Sequence, residues 1–327
     1  MESETDVRLE SLKQWIKHQP GLDKADIVPA SADASFRRYF RITHAGGSLI
    51  AMDAPPEQEN VSPFIDITHR LEKANLQVPH IHASDLQQGF LLLDDLGSQN
   101  FLRGLNSNSV DELYGDALSA LVKIQSADTE DLPIYENKLL ATELCLFQDW
   151  YLGIHLGIKL SQDQHEQLGK VFSALIDNAL EQPQVFVHRD YHSRNLMITA
   201  ENNPGIIDYQ DAVLGPVTYD LVSLLRDCYI SWPIEQVKVW ALHYRDQAVA
   251  NDLLAPIQDQ QFLRWFDLMG IQRHLKAIGI FARLNHRDGK PGYLGDIPRT
   301  LNYVLQIASC YEETERLVGL LNDLGIK

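Results

Sequence analysis

The chain has 327 residues, 45% of them hydrophobic, and its 28 basic against 45 acidic side chains give a net charge of −17. That length and apolar content suffice for one large domain or two lobes with cores of their own. The acidic balance argues against nucleic acid, whose phosphates need a basic face, and against an anionic membrane surface. Cys145, Cys228 and Cys310 are widely spaced and odd in number, so they make neither a disulfide framework nor a zinc pattern; they are expected to be buried thiols in a reducing compartment. The acidic start, Met1 to Asp6, lacks an apolar leader, and no run of eighteen apolar residues occurs, so a cytoplasmic, monomeric protein is expected.

In chain order, Val7, Leu9, Leu12, Trp15 and Ile16 fall at near-helical spacing and predict an amphipathic helix over 7–19. Apolar and basic residues alternate from Ala34 to Ile42, which predicts a strand. Gly46-Gly47 is a turn, and Ser48 to Met52 a second strand that stops before Pro55-Pro56. A helix over 61–74 and a buried strand over Phe90–Leu93 complete a small α+β lobe. From Asn106 onward helical patterns dominate, at 108–126, 138–156, 162–182, 217–230, 233–251, 258–284 and 297–325. The expected fold class is therefore α+β with two lobes: a small N-terminal sheet lobe and hinge over 1–97, and a larger, mainly helical lobe over 98–327.

One stretch interrupts the helices. Residues 188–195 read His-Arg-Asp-Tyr-His-Ser-Arg-Asn, and Asp208 follows thirteen positions after Asn195. This is H-R-D-x-x-x-x-N followed by a second aspartate, the layout of a kinase-fold phosphotransferase. The residue types suit the chemistry. A carboxylate, Asp190, can accept the proton of an acceptor hydroxyl. Magnesium prefers hard oxygen ligands, which Asn195 and Asp208 supply. Val185–Val187 and Leu196–Thr199 read as strands on either side of the loop, and Glu201 to Pro204 as a turn, so a hairpin should return Asp208 beside Asn195. There is no G-x-x-x-x-G-K-[ST] and no G-x-G-x-x-G, which argues against Walker and Rossmann nucleotide sites.

These residues resemble the aminoglycoside phosphotransferase and choline kinase-like family over about 25–230. The likeness is carried by His188–Asn195, Ile206-Ile207-Asp208-Tyr209-Gln210, Tyr219-Asp220-Leu221 and Leu92-Leu93-Asp94-Asp95-Leu96-Gly97. It implies a protein-kinase-like fold, ATP and magnesium. Adenine would be received near Leu93, Asp95 and Leu96. Ser35–Arg41, Met52–Pro56 and Gln272–Lys276 through Arg287–Lys290 are similar to one subgroup, the bacterial cell-wall recycling sugar kinases. That subgroup phosphorylates the anomeric hydroxyl of N-acetylmuramate and N-acetylglucosamine. One departure stands out: the strand where the wider fold places a phosphate-binding lysine offers Met52. Ser35 and one of Arg37, Arg38 and Arg41, in the first hairpin, are the expected substitutes, unless these arginines form a solvated strand face.

Only eleven residues lie between Asp208 and Asp220, with no A-P-E element, so there is no room for a peptide-docking segment and a small acceptor is expected. Asp220 would buttress the catalytic loop, and His188 would hold its backbone. The window Arg264–Arg299 holds seven basic and three acidic residues in an otherwise acidic chain. A polycationic aminoglycoside would want the opposite sign, whereas a carboxylate-bearing amino sugar would be attracted. The same window also reads as a solvated helix face. Candidate substrate contacts are Asp190, His192, Arg194, Arg273, His274 and Arg287, although a helical histidine such as His274 also reads as structural. The rival readings are a kinase of an aminoglycoside, choline or related alcohol, and a catalytically silent nucleotide-binding module.

Overall fold

The structure is a computed structural model that describes residues 6–32 and 36–326, with side chains given at 6–30 and 36–326. Two compact units are present. The first comprises Met1–Gln99 and Met197–Asp211, the second Asn100–Leu196 and Ala212–Lys327.

The first unit opens with α1 (Val7–Lys17), capped by the Asp6 carboxylate on the Leu9 N–H at 3.0 Å. Next come β1 (Asp26–Ala32), β2 (Arg38–His44), β3 (Gly47–Asp53), α2 (Ser62–Lys73), β4 (Ile81–Asp85) and β5 (Phe90–Asp94). The five strands pair antiparallel in the order β1-β2-β3-β5-β4. Leu12 and Ile16 of α1 pack with Phe40, Ile42, Ala51, Phe90 and Leu92 to make the core on one sheet face. β5 is an interior strand whose residues Phe90–Leu93 are all buried, which explains its unbroken apolar run. β1 and β4 were not legible as strands; both are edge strands, β1 interrupted by Pro29 and β4 a polar alternation of His82 and Ser84.

The segment 197–211 belongs with the first unit rather than with the helical lobe to which its sequence position assigned it. The Ile198 N–H donates to the Gln99 carbonyl at 2.8 Å, and the Ile206 N–H to the Gln77 carbonyl at 2.8 Å. Tyr209 stacks on Phe64 and its hydroxyl lies 2.8 Å from Thr68 Oγ1. The short strands β7 (Leu196–Met197) and β8 (Gly205–Ile206) form the expected ribbon.

The second unit contains α3 (Phe101–Gly104), α4 (Val110–Gln125) and α5 (Asn137–Leu146), which continues as a π-helical stretch, Phe147–His155. α6 (Gln162–Leu180) starts on a capping box of Ser161 and Gln164. β6 (Gln184–Val187) pairs antiparallel with β9 (Val213–Pro216). Then follow α7 (Tyr219–Leu225), α8 (Ile234–Ala250), α9 (Asp259–His286), a 3₁₀ turn Pro291–Asp296, α10 (Ile297–Ala308) and α11 (Glu312–Asp323). The single helix expected over 297–325 is thus two helices, broken at 309–311 where no Gly or Pro announces it. α9 is the central strut, touching α5, the π-helical stretch, α6, α7, α8 and α10. At Gly279 it runs so near α5 that a Cβ would lie 2.3 Å from the Leu146 carbonyl carbon.

Among the described residues no helix is long and apolar enough to cross a membrane. Only Cys228 is a buried thiol; Cys145 and Cys310 are exposed, contrary to the expectation from their spacing. Each lies on the outward side of its segment, where an isolated cysteine needs no apolar partner.

Candidate active site

In the second unit, 188–195 is a loop whose backbone is pinned from every side. The Asp220 carboxylate, in the first turn of α7, accepts the N–H groups of His188 at 2.7 Å and Arg189 at 3.0 Å. Asp227 accepts the Ser193 N–H at 2.9 Å and its hydroxyl at 2.5 Å. Tyr191 donates its hydroxyl to the Ala117 carbonyl of α4 at 2.8 Å, and His188 Nδ1 accepts the Asp190 N–H at 3.2 Å. Arg189 sits at φ +77°, a left-handed conformation that a non-glycine residue keeps only when its surroundings dictate it.

Those surroundings include a buried ionic cluster that sequence reasoning missed. Glu143 of α5 receives the Arg189 guanidinium at 2.5 Å and the Lys276 ammonium at 2.8 Å, and accepts the Tyr135 hydroxyl. Lys276 also reaches the Tyr219 hydroxyl at 2.9 Å. Burial works against the Glu143 charge, but Lys276 and Arg189 hold its carboxyl below the usual carboxylate range. Arg189 and Glu143 are forty-six positions apart, so no local spacing signals the pair.

With the loop backbone satisfied, the Asp190 carboxylate is left without a hydrogen-bond donor among the described residues. Burial disfavours its charge, yet the fields of His192, Lys276, Arg273 and His188 outweigh that and keep it ionised below the ordinary pKa. An ionised, half-buried carboxylate with open acceptor lone pairs is what a hydroxyl nucleophile requires. Burial, partly offset by the two N–H donors, pushes Asp220 up to about 7. Burial also lowers the pKa of His192, against the pull of Asp227 and Asp190.

Asn195 Nδ2 donates to the Asp190 carbonyl at 3.0 Å, which fixes the amide so that its Oδ1 is presented as the oxygen. Asp208 belongs to the first unit, sits at φ +65° and accepts the Gln210 side-chain amide at 3.1 Å. One amide oxygen and one carboxylate are hard donors suited to magnesium. No group of three His, Cys, Asp or Glu side chains converges among the described residues. Asn195 lies in the second unit and Asp208 in the first, and each carries the oxygen type that magnesium takes.

The hairpin arginines have partners of their own. Arg38 is held by Asp53 at 2.5 Å and by Asp6; Arg8 binds the same Asp53. Arg41 binds Asp95 at 2.6 Å and the Gly97 carbonyl at 2.9 Å. Asp95 thus anchors β2 and orders its own turn through the Gly97 N–H. Met52 is fully buried in β3 and Leu93 lies within β5, flanked by Ile50 and Ile81. Leu96 crowds Gly205, where a Cβ would meet its Cδ1 at 2.9 Å. Ser35 lies outside the described residues.

The basic window divides. Arg264 pairs with Glu181 and Glu313, Arg287 with Asp288, and Arg299 with Asp296, all at the surface. His274 is buried against the Arg226 carbonyl at 2.8 Å and stacked on Tyr303, a core role. Arg273 and Lys276, by contrast, turn inward to the catalytic loop. The structure gathers Asp190, His192, Arg194 and Arg273; it does not bring Arg287 or His274 to them.

Residues 26–265 match the family described as phosphotransferase enzyme family. A protein of Pseudomonas putida named N-acetylmuramate/N-acetylglucosamine kinase is 46% identical, with 98% of each chain covered. One of the same name from Neisseria meningitidis is 40% identical, over 96% of this chain and 95% of the relative. Among solved structures, a Plasmodium vivax ethanolamine kinase superposes with a TM-score of 0.66 at 12% identity, covering 94% of this chain and 89% of that one, a likeness of fold.

Proposed function

Since this chain belongs to the phosphotransferase enzyme family, we propose that it moves the γ-phosphoryl of ATP to the anomeric hydroxyl of N-acetylmuramate and N-acetylglucosamine. The products are the sugar 1-phosphates, in cell-wall recycling in the cytoplasm, and the enzyme acts as a monomer. The substrate pair is that in the names of the near-full-length relatives. The observation that carries the reading is Asp190: an ionised carboxylate without a hydrogen-bond donor, on a loop immobilised by Asp220, Asp227 and the Glu143 cluster.

In this reading Asp190 orients the acceptor hydroxyl and takes its proton as the oxygen attacks. Asn195 and Asp208 are the proposed magnesium ligands; the ion, when bound, neutralises charge on the phosphate oxygens. The first hairpin and the backbone near Leu93–Leu96 are the proposed nucleotide contacts. The inward charges of Arg273 and Lys276 oppose a polycationic aminoglycoside as acceptor.

The test is ADP release from purified protein with ATP, magnesium and a panel of N-acetylmuramate, N-acetylglucosamine, choline and an aminoglycoside, the product identified by phosphorus NMR. A 1-phosphate of either amino sugar is expected. Transfer to choline or the aminoglycoside and to neither amino sugar would overturn the assignment.

A further inference from the structure

Most arginines that face the interior of the second unit are matched to carboxylates: Arg189 to Glu143, Arg226 to Asp267. Two beside the catalytic carboxylate are not. Arg273 is 6% exposed, yet the polar contact it makes is a long one, 3.9 Å, to the Cys228 sulfur, and its Nε has no partner. Arg194, four residues after Asp190, has no hydrogen bond or ion pair to its guanidinium among the described residues. Its charge instead lies 3.5 Å from the Tyr229 ring centroid and 5.6 Å from that of Tyr293. Rings engage the face of a guanidinium and leave the in-plane N–H fork open. His192 meets the same Tyr229 ring edge-on at 5.4 Å, and its buried Nδ1 lacks a partner. His192 feels the field of both arginines.

A buried cation without its counter-charge is costly, and removing one partner of such a pair is among the most destabilising changes a protein can carry. Arg194 thus leaves its fork open, and Arg273 Nε and His192 Nδ1 are buried nitrogens without a partner near the reacting carboxylate. The root of Arg194 is fixed, because its carbonyl accepts the Asn100 side-chain amide at 3.3 Å.

We propose that Arg194, supported by Arg273 and His192, binds the carboxylate of an acidic amino sugar and so sets the preference between the two acceptors. This rests on the phosphotransfer reading above. N-acetylmuramate differs from N-acetylglucosamine by an ether-linked lactic acid on O3, and that carboxylate is the one charge that distinguishes them. A planar guanidinium meets a carboxylate through two parallel N–H bonds. The Tyr229 and Tyr293 rings would keep the fork in plane, with Phe281 stacked on Tyr293 at 5.8 Å behind them.

The experiment compares kcat/KM for N-acetylmuramate, its methyl ester and N-acetylglucosamine in the wild-type protein and in Arg194→Gln and Arg194→Lys, with KM for ATP measured alongside. The wild type should favour the acid over its ester by about tenfold or more, the scale of a charge-assisted bond. Arg194→Gln should collapse that ratio toward one, and Arg194→Lys should restore part of it. The ester arm needs no mutation, so it decides the matter even if a variant folds poorly. Equal losses on acid, ester and neutral sugar, or a raised KM for ATP with the acid-to-ester ratio intact, would overturn the proposal and point to nucleotide phosphate as the anion. If the wild type phosphorylates none of the three sugars, the functional reading fails and this one falls with it.

Discussion

Two pairs of arginines, one pair in each unit, stand in opposite circumstances. In the first unit, Arg38 and Arg41 project from one strand and each is met by a carboxylate, Asp53 or Asp95, that ties that strand to the next element. In the second, Arg194 and Arg273 stand beside Asp190 with no carboxylate of their own. Basic residues on a strand and on a helix look alike in sequence. The difference is whether the fold supplies the counter-charge: where it does the pair is architecture, and where it does not the cation awaits a ligand.

The hardest test of this contrast is at Asp190. Asp190→Ala should lower turnover by about two to four orders of magnitude, the usual contribution of a general base, while circular dichroism and thermal unfolding show an intact fold. A variant near full activity would refute the role. Next is the matched cluster. Glu143→Ala leaves Arg189 and Lys276 as buried cations without their carboxylate, so chemical denaturation should show a loss of about 3–5 kcal/mol; a loss below about 1 kcal/mol would mean that the cluster is not what holds the loop.

The pH dependence of stability separates the carboxylates. Asp220 is raised from 3.8 to about 7, so the folded protein binds a proton that the unfolded chain has released. Its contribution is fully present below about 4 and fades as pH climbs through 7, by at most about 1.4 kcal/mol per pH unit. Asp190 and Glu143 are held below their usual values, and their contribution is lost instead as pH falls into the acid range. Unfolding followed from pH 3 to 8 should therefore show a rise and then a decline, and Asp220→Asn should flatten the decline. The smallest effects belong to the satisfied arginines. Arg41→Gln should cost about 1 kcal/mol or less, since the pair is partly exposed and screened, and should move KM for ATP less than about threefold. Arg287→Ala, at the surface, should stay within about 0.5 kcal/mol by denaturation.

The reaction was more legible in the sequence than the apparatus that supports it. Asp190, Asn195 and Asp208, the proposed base and metal ligands, stand close in sequence, and a short window captures them. The main strands and helices were legible because long apolar periodicities report burial. Glu143 was not: a single glutamate in an amphipathic helix carries no mark of the arginine it will meet. Nor did composition separate Arg273 and Lys276, turned inward, from Arg264, Arg287 and Arg299, which the surface satisfies. The assignment of 197–211 to the first unit was hidden too, because its bonds to Gln77 and Gln99 are made across long sequence separations.

Gly279 gives this layout a practical edge. Helix α9 delivers both Arg273 and Lys276, and two turns or less further along it is pressed directly onto the Leu146 peptide. Any side chain at that crossing would lever the helix outward and carry both cations with it. Mutants selected for altered acceptor choice could therefore surface at a glycine that touches no sugar, and libraries meant to retune this enzyme should treat that crossing as a fulcrum.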